Sequence, residues 1–338
     1  MKVLILRTRY LGDTILLVPL IREILQHDKE ARITVILNEG TTYPLERFPG
    51  VEILTLSRGG PLARSGSSLA LLGEVRRRRP DLLLDLTVSD RSRMLARFSR
   101  AGRTGAAGDA ADLARGPWEV RVPVDLNRGP DSVVAMHGRL LSAMGLPVSG
   151  IVEKAYFPDP LWGERARGWI RERGLDGVPT LFLHPGGRHW FKRWPPDRFA
   201  RLASLWIRKK NGAVVVAGTG AEKTLVDSVL SGVRSERIHP LVAAPVGLLD
   251  ALIRRATVFV GNDSGPLHMA DAAHIPLVGL FGSTLPQVWG PVCSPRREVV
   301  YRQRECSPCH HTGCTLGPDN CLASLTVEEV DARLESLL

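Results

Sequence analysis

Asp13 is a lone carboxylate directly after Gly12. A short apolar run (VLIL, 3–6) precedes it and a stretch of uncharged, mostly aliphatic residues follows it. Desolvating a charge in such surroundings is costly, so Asp13 needs a reason to be there. One reading is a helix N-cap whose carboxylate bonds the free N–H groups of a helix opening near Thr14. The other is a general base projecting from the loop RTRYLG. Arg7 and Arg9 in the same loop are placed to position an anion.

Three further loops carry chemistry. In HPGGRHWFKRWPPDRFARLA (184–203), Gly186 and Gly187 allow close backbone approach to a ligand, and Lys192 and Arg193 supply cations. Pro195 and Pro196 then open a helix, so the segment is a candidate phosphate site. In GNDSGPLHMADAAHIP (261–276), Asp263, Ser264 and Gly265 end a strand and lead into a helix carrying His268. Together the two loops predict a diphosphate held between two helix starts. His268 is either a core histidine or a phosphate contact. In AGTGAEK (217–223), Glu222 is placed to accept from a ribose diol or to compensate a helix N-terminus.

What is missing also matters. There is no Walker loop, and no GxGxxG follows the first strand, which argues against an ATPase or a dinucleotide-dependent dehydrogenase. No Asp-x-Asp occurs, so a carboxylate pair chelating a metal–diphosphate is not signalled. Four of the five cysteines, Cys306, Cys309, Cys314 and Cys321, lie together with His310 and His311 among them. This clustering points to a structural zinc, with a tail of reduced thiols as the alternative.

Positioning these loops needs buried strands. Apolar runs at 2–6, 33–37, 51–56, 81–86 and 119–124 alternate with helix-length segments. So do those at 180–184, 213–217, 257–261 and 276–281, with 236–241 and 297–301 weaker. Near-continuous Val/Ile/Leu runs suit parallel strands covered on both faces. The fold class is α/β, with two Rossmann-like doubly wound domains facing across a cleft, and turn formers at 150–165 mark the seam. A length of 338 residues agrees with two domains. Apolar content of 44% and charged content of 24% are those of an ordinary globular chain. No apolar run is long enough to span a membrane, and Arg7, Arg9 and Asp13 interrupt any signal-peptide pattern, so the expectation is a cytoplasmic protein. Net charge is +10, and residues 58–103 hold eleven Lys/Arg against four Asp/Glu, including RRRR at 76–79. That run is a solvated helix face or part of a surface for an anionic partner.

Three motifs together resemble the ADP-heptose:lipopolysaccharide heptosyltransferases, glycosyltransferase family 9. They are LRTRYLGDTILLVPLI, HPGG…FKRWPPDRFARLA and GNDSGPLHMADAAHIPLVGLFGST. DLTVSDRSRMLARFSRAGRTG (85–105) and the Cys-rich CSPCHHTGC…C are also similar. The resemblance spans nearly the whole chain in order. It implies a GT-B fold and inverting, metal-independent transfer of heptose from ADP-heptose to the lipopolysaccharide inner core, with no cofactor required. Asp13 matches the family's base and Lys192 its phosphate contact. Asp263, Ser264, Gly265 and His268 match its donor motif, and Glu222 matches a ribose-contacting acid by position. Gly186, Gly187 and Arg193 complete the donor set. One departure is visible: Gly187 and Arg188 stand where the family often has hydroxyl residues.

Residues 1–155 are expected to bind the acceptor and 165–338 the ADP-sugar. The basic 58–103 region, with Arg91, and the loop arginines Arg7 and Arg9 are the candidate acceptor contacts, by charge. Peripheral contact with the inner face of the cytoplasmic membrane follows from a lipid acceptor. Two alternatives stay open: another GT-B enzyme using a different nucleotide sugar, and a basic nucleic-acid binder. Against the second, no aromatic residues interleave 76–79 as stacking platforms would require, and no nucleic acid is expected as a partner.

Overall fold

The computed structural model describes residues 1–56, 61–125, 129, 131–309 and 313–338, with the backbone alone over 61–69. The chain divides into two compact units, Met1–Phe157 and Pro158–Leu338.

The first unit runs β1 (Lys2–Leu6), α1 (Leu11–Ile15), α2 (Val18–His27), β2 (Arg32–Asn38), β3 (Val51–Leu56), α3 (Pro61–Arg78) and β4 (Leu82–Asp85). It continues with α4 (Asp90–Phe98), β5 (Arg103–Gly108), α5 (Ala110–Ala114), β6 (Val120–Pro123) and α6 (Val133–Ala143). The second unit runs α7 (Pro160–Glu172), β7 (Thr180–His184), α8 (Pro196–Lys210), β8 (Ala213–Gly218), α9 (Lys223–Ser231), β9 (Ile238–Val242) and α10 (Val246–Ile253). It ends with β10 (Val258–Asn262), α11 (Gly265–Ala272), β11 (Leu277–Phe281), α12 (Pro286–Trp289), β12 (Arg297–Tyr301) and α13 (Val327–Glu335).

Each unit holds one six-stranded sheet, ordered β3-β2-β1-β4-β5-β6 in the first and β12-β11-β10-β7-β8-β9 in the second. All strand pairings are parallel. Read from its β9 edge, the second sheet repeats the winding of the first. The central strands are apolar throughout because helices cover both faces, and every residue of β10 and β11 is buried. α8 shows how the covering works. Pro196 opens it, Phe199, Leu202, Ala203 and Trp206 bury one stripe, and Asn211 ends it in the left-handed conformation at φ +49°.

The first sheet has one strand more than the apolar runs predict. β5, RTGAAG, has no bulky apolar residue, and its glycine is a packing requirement. A Cβ on Gly105 would lie 2.4 Å from the Met144 sulfur, just past the end of α6. The two faint runs of the second half became β9 and β12, the edges of their sheet, where one side of the strand is unpaired and polar residues are tolerated.

In each sheet the strand order reverses at one place, between β1 and β4 and between β7 and β10. A doubly wound sheet opens a crevice at the carboxyl ends of the strands there. Three of the four loops singled out from sequence leave β1, β7 and β10 at these two places, and the fourth, with Glu222, leaves the neighbouring β8.

Candidate active site

In the first unit, Arg7–Tyr10 connects β1 to α1, and Asp13 is the third residue of that helix. Its Oδ2 accepts the Tyr10 backbone N–H at 3.1 Å, which caps the helix start. Its Oδ1 faces the Arg7 guanidinium in a buried ion pair. Arg7 also donates, through its other terminal nitrogen, to the Leu86 carbonyl just past β4. With 5% of its surface exposed, Arg7 is turned into the protein. Arg9 stays exposed and donates to the Thr87 carbonyl at 3.2 Å, while Arg91 is half-buried on the first turn of α4.

The loop after β4 is cross-tied to the loop after β1. The Thr87 hydroxyl accepts the Thr8 N–H at 2.9 Å and donates to the Leu6 carbonyl at 3.2 Å. Asp85 pairs in register with Leu6 and is fully buried. Its Oδ1 accepts the Thr87 and Val88 N–H groups at 2.9 and 3.0 Å. Burial pushes its carboxyl up, and the Val88 amide, Ser92, the Thr87 amide and Arg7 pull the other way. Val88 is held at φ +51°, a costly conformation for a β-branched residue, and Asp85 is the clamp that keeps it there. On α6, His137 is buried with Nδ1 against the Leu16 carbonyl at 3.1 Å. Burial, then the Arg7 charge, push its imidazole down to about 3, so it is neutral.

In the second unit the loop after β7 is pinned by Asn262, the last residue of β10. The buried Asn262 amide donates to the carbonyls of Pro185 at 2.8 Å and Gly186 at 3.0 Å, and its oxygen accepts the Trp194 N–H at 3.0 Å. Trp194 is sealed into the core, donating to the Leu325 carbonyl at 2.9 Å and meeting Phe199 edge to face. This anchoring places Lys192 and Arg193. The Arg193 side chain donates to the Gly187 carbonyl at 2.8 Å, and Lys192 Nζ lies 3.9 Å from Asp263 Oδ2. Asp263 also accepts the Thr284 hydroxyl at 2.7 Å.

Ser264 sits at the N-cap of α11 but gives the helix no side-chain cap. Its hydroxyl donates back to the Asn262 carbonyl at 3.0 Å and stands 3.2 Å from His184 Nδ1. The helix start at Gly265 is thus left without a side-chain cap; Pro266 has no N–H, and Leu267 donates to the Ser264 carbonyl at 3.2 Å. His268 is buried further along α11. Glu222 reaches across to the glycine pair. Its Oε1 accepts the Gly187 N–H at 3.0 Å, and its Oε2 accepts the Thr219 N–H and hydroxyl, both at 2.9 Å. Burial would raise the Glu222 carboxyl, but the Thr219 amide, His184, the Thr219 hydroxyl and the Gly187 amide outweigh it and hold it low. His184 is pushed down to about 4 by burial, with Glu222 opposing and Arg193 assisting.

So one crevice presents an ion-paired carboxylate, and the other presents cations, a helix start without a side-chain cap and a glycine turn shaped by an acid. Residues 68–319 match the model of glycosyltransferase family 9 (heptosyltransferase), well over half of the chain. The chain belongs to glycosyltransferase family 9.

The relatives agree with this assignment. Lipopolysaccharide heptosyltransferase 3 of Escherichia coli is 25% identical over 296 residues, covering 84% of this chain and 83% of that protein. A glycosyltransferase family 9 structure from Veillonella parvula superposes with a TM-score of 0.85 at 21% identity, over 99% of this chain and 96% of that one. The E. coli ADP-heptose lps heptosyltransferase II follows at 0.77 and 21%, over 100% and 98%. The transferase therefore has the GT-B fold, two Rossmann-like units in one chain.

In this transferase the zinc expectation finds no support among the described residues. All five cysteines are free. Among the described residues, no group of three or more His, Cys, Asp or Glu side chains comes together to hold a metal ion. His310 and His311 lie outside the described residues. The Cys309 thiol turns to the Cys306 carbonyl at 3.1 Å, and burial, then Cys306, push it up to about 11. Cys321 is buried against Gly282, 3.5 Å from the Ser307 hydroxyl, which itself donates to the Gly282 carbonyl. These contacts fasten the C-terminal segment to the end of β11, near Thr284 and Asp263.

The basic run of α3 is partly neutralised. Arg78 pairs with Glu52 and Glu74, and Arg77 with Glu74. Arg58 and the side chain of Arg64, which began the basic region, lie outside the described residues. Among the described residues, no helix is long and apolar enough to cross a membrane. Sequence reasoning passed over Asp85, His137 and Asn262. The signal for the first was present, an acid ending the apolar run DLLLDL.

Proposed function

We propose that this transferase moves a heptose from ADP-heptose to the inner core of lipopolysaccharide, with inversion at the anomeric carbon. The family and the relatives named above support the donor and acceptor class. The observation that carries the mechanism is Asp13, a carboxylate fixed by an ion pair and a backbone amide on the first turn of the helix that follows β1.

The first unit takes the acceptor, with the exposed Arg9 and the half-buried Arg91 contacting its anionic groups. An acceptor hydroxyl oxygen attacks the anomeric carbon from the side opposite ADP. A new C–O bond forms as the bond to the diphosphate breaks, the hydroxyl proton passes to Asp13, and the electron pair leaves on ADP. The second unit takes the ADP-sugar. Lys192, Arg193 and the α11 N-terminus at Gly265 stabilise the charge growing on the diphosphate, which lets the reaction run without a divalent metal. Ser264, Asp263 and His268 line the donor. Glu222 uses three of its roughly four acceptor positions on the protein, leaving one for a ribose hydroxyl. The enzyme works in the cytoplasm, against the inner membrane face where a lipid-borne acceptor lies.

The test is an assay with ADP-heptose and lipid acceptors truncated at each core step, with and without EDTA. Transfer of an inverted heptose to one truncation, unaffected by EDTA, is the expected result. Transfer only from a UDP- or GDP-sugar, or a rapidly reversible Mg²⁺ requirement, would overturn the reading.

A further inference from the structure

We propose that Arg7 is a positioning residue of the transfer reaction, and not an acceptor ligand: its guanidinium fixes the Asp13 carboxylate in the orientation from which it receives the acceptor's proton. The inference rests on the reading of Asp13 as the base. Arg7 is almost fully buried and forks between two partners, the Leu86 carbonyl and Asp13 Oδ1. A residue that greeted an anionic acceptor would have its head in solvent, as Arg9 does. With Oδ1 held by Arg7 and Oδ2 by the Tyr10 amide, one lone pair on each oxygen remains for the incoming hydroxyl.

The surroundings hold Arg7 in turn. Asp85 from the end of β4 lies within reach of its charge, and the strained turn at Val88 that Asp85 clamps delivers the Leu86 carbonyl. His137 from α6 feels both Arg7 and Asp13 and is neutral. The groups facing Asp13 and its partner are therefore one cation, one buried acid and one uncharged imidazole. Removing the cation leaves the Asp13 carboxylate without its counter-ion and free to turn from the orientation the fork imposes.

The test compares Arg7→Met, Arg7→Lys and Asp13→Asn, with thermal unfolding as the folding control. Arg7→Met should lower kcat ~100-fold and leave the acceptor KM within about threefold. Arg7→Lys should keep about a tenth of kcat, because a single ammonium cannot reproduce the fork. A raised acceptor KM with unchanged kcat would make Arg7 an acceptor ligand and overturn the proposal. So would wild-type kcat in Arg7→Met. Should Arg7→Met not fold, Arg7→Lys decides: a fall in kcat at unchanged acceptor KM supports the proposal, and wild-type kcat overturns it. Asp13→Asn separates the two levels. If it turns over normally, the base assignment has failed. If it is inactive while Arg7→Met is normal, only the role of Arg7 has failed.

Discussion

The carboxylate of Glu222 occupies the space a side chain on Gly186 would need. A Cβ at residue 186 would lie 2.4 Å from Glu222 Oε1. The glycine is there for the acid, and the acid holds the turn by accepting the Gly187 amide.

Gly186→Ala is expected to displace Glu222. The carboxylate is the end of a flexible side chain and can swing aside, so the cost is the three hydrogen bonds it gives up. A loss of about 1–3 kcal/mol in stability follows, together with a weakening of ADP binding of about tenfold. Thermal unfolding and an ADP titration check both. Wild-type affinity in the variant would show that the Glu222 turn has no part in holding the donor.

Asn262→Ala should damage the same loop from the other side. It leaves the Pro185 and Gly186 carbonyls and the Trp194 amide without their buried partner. We expect a cost of about 2–4 kcal/mol and a loss of donor affinity larger than that of Lys192→Ala, since Asn262 places the whole 185–194 segment and Lys192 supplies one contact. Parallel ADP titrations of the two variants decide the order.

Acid should destabilise the protein well before its carboxylates are protonated. His137 and His184 are held neutral, at about 3 and about 4, against 6.5 when unfolded. The unfolded chain thus binds more protons below the unfolded value. Stability is full above that value and falls as pH drops toward the folded values. Each histidine contributes about 2 kcal/mol of loss between roughly pH 7 and pH 5. His137→Gln should remove its share of that slope, read as unfolding midpoint against pH. An unchanged slope would mean that His137 is already protonated in the folded protein.

The central strands were legible because parallel strands covered on both faces must be apolar along their length, as β10 and β11 are. β5 was hidden by the same logic. It succeeds through smallness, with Gly105 admitting Met144, and small residues carry no periodic signal. Asp13, the glycine pair and Asp263–Gly265 stood out because a doubly wound sheet offers its strand ends to ligands. What local sequence did not convey was direction and partnership. Asn262 binds residues 76 and 77 positions away, and Arg7 pairs with a carbonyl 79 positions away, so neither role exists until the sheet is assembled. The cysteines are a different case. Their spacing permits a metal, but among the described residues no metal-holding group assembles, and Cys321 packs against Gly282.

The most direct test of the account is the kinetics of Asp13→Asn beside its ADP affinity. Asn keeps the size of the side chain and removes the proton acceptor. A fall in kcat of ~10³-fold is predicted in a variant that still folds, with ADP binding close to wild type and a lowered unfolding midpoint, because the buried Arg7 loses its counter-ion. Transfer at near wild-type rate, or a loss of ADP binding in a folded variant, would contradict it.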